Sequence, residues 1–175
     1  MSDAPDAAAV MASGGRGLAA LDARLVDVAP HPCLRGLRRF CVEFLWFGLK
    51  EARACLFAGL FFASVWLVPR AGLWGIARYD LLLIIALAIQ AWMLWARLET
   101  RDEMKAICLF HVVGFMLEVF KTSPAIGSWS YPDPAWSKVL GVPLFSGFMY
   151  AAVGSYIIQA WRLFDLRIPC HPPYW

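Results

Sequence analysis

Charge is scarce in these 175 residues: Asp, Glu, Lys and Arg make up 17%, against 61% hydrophobic residues, and the mean hydropathy is positive. A water-soluble domain needs more polar surface than this composition supplies, so the chain reads as an integral membrane protein. Cysteine pairs are lacking too. Cys33, Cys41, Cys55, Cys108 and Cys170 form no Cys-x-x-Cys motif and are odd in number, which points to neither a disulfide framework nor a zinc site. Residues 1–33 lack the basic start and apolar stretch of a secretory signal. There is no phosphate-binding Gly-rich loop, no G-x-S-x-G elbow and no H-E-x-x-H pair, so ATP-driven and zinc-dependent chemistry have no support and neither a metal nor a cofactor is predicted. The net charge of +3 is scattered between apolar segments and forms no basic patch, which argues against a nucleic-acid partner.

What is present is a series of apolar runs. Residues 1–33, rich in Ala, Gly and Asp, read as a disordered cytoplasmic tail. In residues 34–50, Leu34, Leu37, Cys41, Phe44, Leu45 and Gly48 share one stripe, while Arg35, Arg39, Glu43 and Lys50 share another. That pattern predicts an amphipathic helix lying along the membrane interface. Four spans are expected after it, at about 52–68, 81–96, 106–120 and 142–163. The fold class is therefore all-α, a polytopic transmembrane helical bundle occupying residues 34–175 with an N-terminal interfacial helix.

The basic residues orient the bundle. Arg35, Arg38, Arg39, Lys50, Arg53, Arg97, Arg101, Lys105, Arg162 and Arg167 fall on one side, against Arg70, Arg78, Lys121 and Lys138 on the other. The positive-inside rule then places the N-terminus in the cytoplasm, in an inner membrane crossed several times. The bilayer is the expected partner. In the fourth run, Gly147, Ala151 and Ser155 at four-residue spacing offer a face for a neighbouring helix, and with it a route to a homo-oligomer or an assembly partner. The chain stops at IPCHPPYW with no further helix in view, which suggests the N-terminal part of a longer protein.

Two ionisable groups stand out inside the third run. An intramembrane carboxylate costs about 2.5–3.5 kcal/mol on insertion scales and usually marks function. Glu118 and His111 are accordingly the candidate catalytic residues, sharing one helical face with Gly114 and Phe115. An acid held away from water could donate a proton, with His111 as relay. The alternative is that both side chains only hydrogen-bond to neighbouring helices. The loop GSWSYPDP follows on the same side, and its Trp129, Tyr131 and Asp133 are candidate binding residues, although interfacial aromatics and a rigid Pro turn explain the same letters. Gln90 and Tyr150 could face the same interior, as could Tyr156 and Gln159, or could serve only in interhelical hydrogen bonds.

The segments EFLWFGLKEARACLFAGL, RYDLLLIIALAIQ, LFHVVGFMLEVFKT, GSWSYPDP and GVPLFSGFMYAAVGSYI resemble the YoaT-like family of bacterial multi-pass membrane proteins, domain of unknown function 817, over roughly residues 40–172. That resemblance implies a membrane bundle and further hydrophobic segments beyond residue 175, and it implies no activity. The middle stretch also resembles carotenoid hydratase and cyclase membrane enzymes through Glu118, Gly127, Tyr131, Gly141, Val142, Pro143 and Leu144. The second resemblance implies protonation of an isoprenoid double bond by Glu118, with aromatic rings steadying the cation. Acid–base chemistry on an isoprenoid-type lipid, an apolar substrate drawn from the bilayer, is thus the first functional expectation. Proton-coupled transport of a small solute and a non-catalytic assembly role are its rivals.

Overall fold

A computed structural model describes residues 7–26 and 35–166, with side chains described from residue 17 onward. Six α-helices account for most of it: α1 (Ala7–Val26), α2 (Gly36–Ala54), α3 (Leu56–Leu67), α4 (Arg78–Trp95), α5 (Arg101–Thr122) and α6 (Gly147–Leu163). Two short strands, β1 (Lys138–Val139) and β2 (Val142–Pro143), pair antiparallel just before α6. Residues 7–26 are helical where a disordered tail was expected, and Asp22 of that helix is buried against the bundle. The rest of the expected tail, and the closing IPCHPPYW, lie outside the described residues.

α2 continues the expected interfacial helix to Ala54, and a break at Cys55 starts α3, so the first apolar run is divided between the two. α4 is the described helix that is long and apolar enough, by length and composition, to cross a membrane. α5 is longer, 22 residues, or about 33 Å at the usual helical rise. Its ends carry Arg101, Asp102, Glu103, Lys105, Glu118 and Lys121, however, and these dilute its apolar character. Thr100 starts α5 with a reciprocal capping box: its hydroxyl accepts from the Glu103 N–H at 3.2 Å, and the Glu103 carboxylate accepts from the Thr100 N–H at 2.6 Å.

α5 and α6 form the most extensive helix pair, and glycines let them close up. A Cβ on Gly147 would stand 2.7 Å from the His111 ring, one on Gly154 would stand 2.6 Å from the Phe110 ring, and Gly114 lies under the ring of Tyr150. Gly147, Ala151 and Ser155 are therefore covered by their own chain, and the face expected to bind a second copy is already occupied. Phe57 and Phe61 of α3 complete the core against Phe148, with ring centroids 6.3 and 6.4 Å apart.

At one end of the bundle the connections are pinned by Asp80, in the first turn of α4, whose carboxylate accepts from the backbone N–H groups of Trp136 at 2.9 Å and Ser137 at 2.8 Å. Two tight hairpins sit at this end. Leu73 and Ile76 bridge across Trp74 and Gly75, and Val139 and Val142 pair across Leu140 and Gly141. Both tip residues of each turn have positive φ, as the primed hairpin turns require.

Candidate functional site

Glu118 faces inward near the end of α5 and is 1% exposed. Its Oε2 accepts from Trp129 Nε1 at 3.0 Å and from the Tyr131 hydroxyl at 2.8 Å, while Oε1 accepts from the Tyr150 hydroxyl at 2.7 Å. Lys121 stands 3.8 Å from Oε1, donates to the Tyr150 hydroxyl at 2.7 Å and lies over the rings of Trp129 and Tyr150. The aromatic loop thus folds back onto the acid, and Lys138 holds that loop by donating to the Tyr131 carbonyl at 2.5 Å. Burial, followed by the bond to Glu118, pushes the Tyr131 hydroxyl well above its ordinary range, so it remains a donor.

Glu118, Trp129, Tyr131 and Tyr150 therefore meet, as the sequence suggested. The Tyr150 ring lies over Gly114, and the carboxylate accepts three hydrogen bonds. His111 is not part of this cage. It lies two turns away, about 10 Å along the helix, half-buried against Phe148 with ring centroids 4.4 Å apart. Its Nδ1 is buried without a hydrogen-bond partner. Asp133 lies beside Tyr79. Gln90 sits at the opposite end of the bundle.

That opposite end holds a second buried acid, in the segment between the second and third expected spans. Glu99 is 3% exposed. Gln90 Nε2 donates to its Oε2; Ser155 Oγ donates to Oε1 at 2.7 Å, and Gln159 Nε2 does so at 3.3 Å. These three donors are neutral. The nearby ion pairs join other groups: Asp22 pairs with Arg53 at 2.6 Å and with Arg162 at 3.2 Å, and Arg162 also reaches Glu103 at 3.2 Å. Arg53 and Arg162 both donate to the Leu98 carbonyl, at 2.9 and 2.7 Å. The oxygen Oε1 of Gln90 is buried without a partner.

Glu99 borders a cavity of about 800 Å³ whose wall also includes Thr100, Arg97, Arg101, Leu94 and Trp95. Two smaller cavities, about 510 and 380 Å³, lie beside Trp161 and beside Trp136, and Glu118 lines none of the three. The turn that carries Arg97 is a Schellman ending of α4. Leu98 N–H bonds to the Met93 carbonyl, Arg97 N–H bonds to the Leu94 carbonyl, and Leu98 packs with Met93 in the core. Its left-handed position, usually glycine, is held by Arg97 at φ 56°. A side chain there costs roughly 1–2 kcal/mol, and such strain is found where the residue is needed. The clue to Glu99 in the sequence is its spacing from Gln90, nine residues back across a helix end. No group of three or more His, Cys, Asp or Glu is placed to hold a metal ion among the described residues.

Comparison with known proteins gives the chain a family and is silent on the chemistry. Residues 43–175 match the family described as "Protein of unknown function (DUF817)". The "Uncharacterized protein YoaT" of Bacillus subtilis (strain 168) is 47% identical over 132 residues, which is 75% of this chain and 49% of that protein. The chain thus spans about half the length of that relative. No solved structure matches it. The likeness to carotenoid hydratases and cyclases finds no counterpart in these matches, and the implied protonation of an isoprenoid loses its basis in kinship. With three quarters of its length matched, the chain belongs to the DUF817 family of proteins of unknown function.

Proposed function

We propose that this chain is the bundle-forming part of a multi-pass inner-membrane carrier that couples proton movement to a small polar solute, with Glu99 as the coupling group. The membrane reading rests on polarity turned inside out. Leu109, Val112, Met116 and Phe120 of α5, Ile84 and Leu87 of α4, and Val153 and Ile157 of α6 all point outward, while Gln90, Glu99, Glu118 and Gln159 are buried. Water would reverse that arrangement, whereas lipid favours it. With the N-terminus inside, the Glu99 centre faces the cytoplasm and the Glu118 cage faces outward. The two are 19 residues apart, roughly 28 Å at a helical rise of 1.5 Å per residue, and the unpartnered His111 nitrogen sits between them.

The observation that carries the coupling role is the environment of Glu99. It is a buried carboxylate held by neutral donors at the edge of a cavity of about 800 Å³. A buried carboxylate set within a membrane bundle is the residue type that proton relays and substrate pathways use. Acid–base attack on an isoprenoid double bond calls instead for a carboxyl O–H aimed into an apolar cavity. Glu118, the candidate for that role, is an acceptor on both oxygens and is roofed by its own loop.

The test is reconstitution of the full-length protein in vesicles containing a pH-sensitive dye. A gradient of amino acids, small amines or carboxylates should drive a pH change with the wild type, and Glu99→Gln should remove it. Wild-type vesicles that behave like protein-free vesicles across that panel would overturn the carrier reading.

A further inference from the structure

The cavity beside Glu99 has a chemical composition of its own. Its lining includes Glu99, while the unpartnered Oε1 of Gln90, on a side chain only 8% exposed, lies behind that residue and outside the lining. An acceptor left bare beside a carboxylate is costly unless a hydrogen-bond donor comes to it. The lining also includes Arg97 and Arg101, both exposed and, among the described residues, without an ion-pair partner. Leu94, Trp95 and Met104 supply its apolar surface. Arg97, one of the lining residues, is kept at a strained backbone position.

We infer that this cavity binds a zwitterion: a primary ammonium that donates to Glu99, next to an anionic oxygen group held by Arg97 and Arg101. An ammonium suits the carboxylate, and a planar guanidinium suits carboxylate or phosphate oxygens. Free α-amino acids with apolar side chains and the headgroup of phosphatidylethanolamine share this chemistry. The inference names the ligand class of the centre proposed above, and it rests on that reading for its part in transport.

Two probe pairs test it with the full-length protein. Calorimetric titration in detergent compares leucine with glycine betaine, whose trimethylated nitrogen has no hydrogens. Native mass spectrometry from nanodiscs compares retained phosphatidylethanolamine with phosphatidylcholine. A site built to receive N–H donors should prefer the primary ammonium of at least one pair by about tenfold or more. Glu99→Gln should erode that preference, whereas Arg101→Gln should weaken both members of each pair alike. Leucine selectivity alone identifies a free solute and phosphatidylethanolamine selectivity alone identifies a headgroup; either supports the shared chemistry. Equal binding of primary and trimethylated probes, or no binding of leucine and phosphatidylethanolamine, overturns it, and this comparison needs only the wild-type protein. Selective binding with no proton movement in vesicles would leave the ligand class standing and remove the carrier reading. Proton movement driven only by solutes without an ammonium would do the reverse.

Discussion

Glu118 and Glu99 are both buried carboxylates, yet their surroundings fit them for different tasks. Glu118 is met by an indole N–H, which can only donate, by two tyrosine hydroxyls and by a lysine at 3.8 Å. Every group in that cage has its partner, and three of the groups come from other parts of the chain, so the acid ties the aromatic loop and α6 to α5. Glu99 is met by two amides and a hydroxyl, one amide has a bare oxygen, and a cavity lies alongside. A saturated cage resists change, whereas an incompletely satisfied one can accept a ligand.

Substitution should separate the two acids. Glu118→Ala leaves Trp129, Tyr131 and Tyr150 without their acceptor and Lys121 without its counter-charge. Thermal unfolding in detergent should show a loss of about 3–5 kcal/mol, with the 127–137 loop opened to protease. Glu99→Gln should cost only about 1 kcal/mol, because Gln90 can turn its amide to present the oxygen that has no partner, while solute-driven proton movement disappears. Equal stability losses in the two variants would erase the distinction.

Smaller effects sharpen it. Asp80→Ala frees the Trp136 and Ser137 N–H groups and should cost about 1–3 kcal/mol, seen as a shift in tryptophan emission from the Glu118 end with proton coupling retained. Arg97→Gly relieves the left-handed strain and should raise stability by roughly 1 kcal/mol while weakening ligand binding at the Glu99 end. A stabilised variant with unchanged binding would remove Arg97 from the site.

The last effect is one of pH. Tyr131 has a folded-state pKa above the ordinary 10.0, because burial and then the bond to Glu118 favour its neutral form. The unfolded chain loses this proton first, so the contribution is fully present below pH 10 and fades as alkalinity rises beyond it. Stability against pH should fall less steeply above that point in Tyr131→Phe than in the wild type.

Much of the Glu118 end was legible in the sequence because its parts are close together: an acid in an apolar run, followed within thirteen residues by Trp129 and Tyr131. His111 was misleading there, since one helical face extends over more length than one site. The Glu99 centre was hidden for a different reason. LETRDEMK reads as a solvated loop, and only the approach of α6, made possible by Gly154 and Gly147, turns Glu99 inward to meet Ser155 and Gln159. Asp22 was equally hidden, because nothing local distinguishes it from the other acids of an Ala-rich stretch until Arg53 and Arg162 arrive. The hairpin tips Trp74 and Leu140 are poor turn formers by composition, so the pairing of their flanks was not anticipated.

The Asp22 clasp has a consequence for the order in which the molecule is made. Arg53 follows Asp22 by 31 residues and Arg162 follows it by 140, so during synthesis one guanidinium becomes available early and the other only when the last helix is made. The second contact closes a long loop, which favours final docking of the first helix after α6 is in place. The leading segment would then act as a latch, caught first by Arg53 and fastened fully when the sixth helix has arrived.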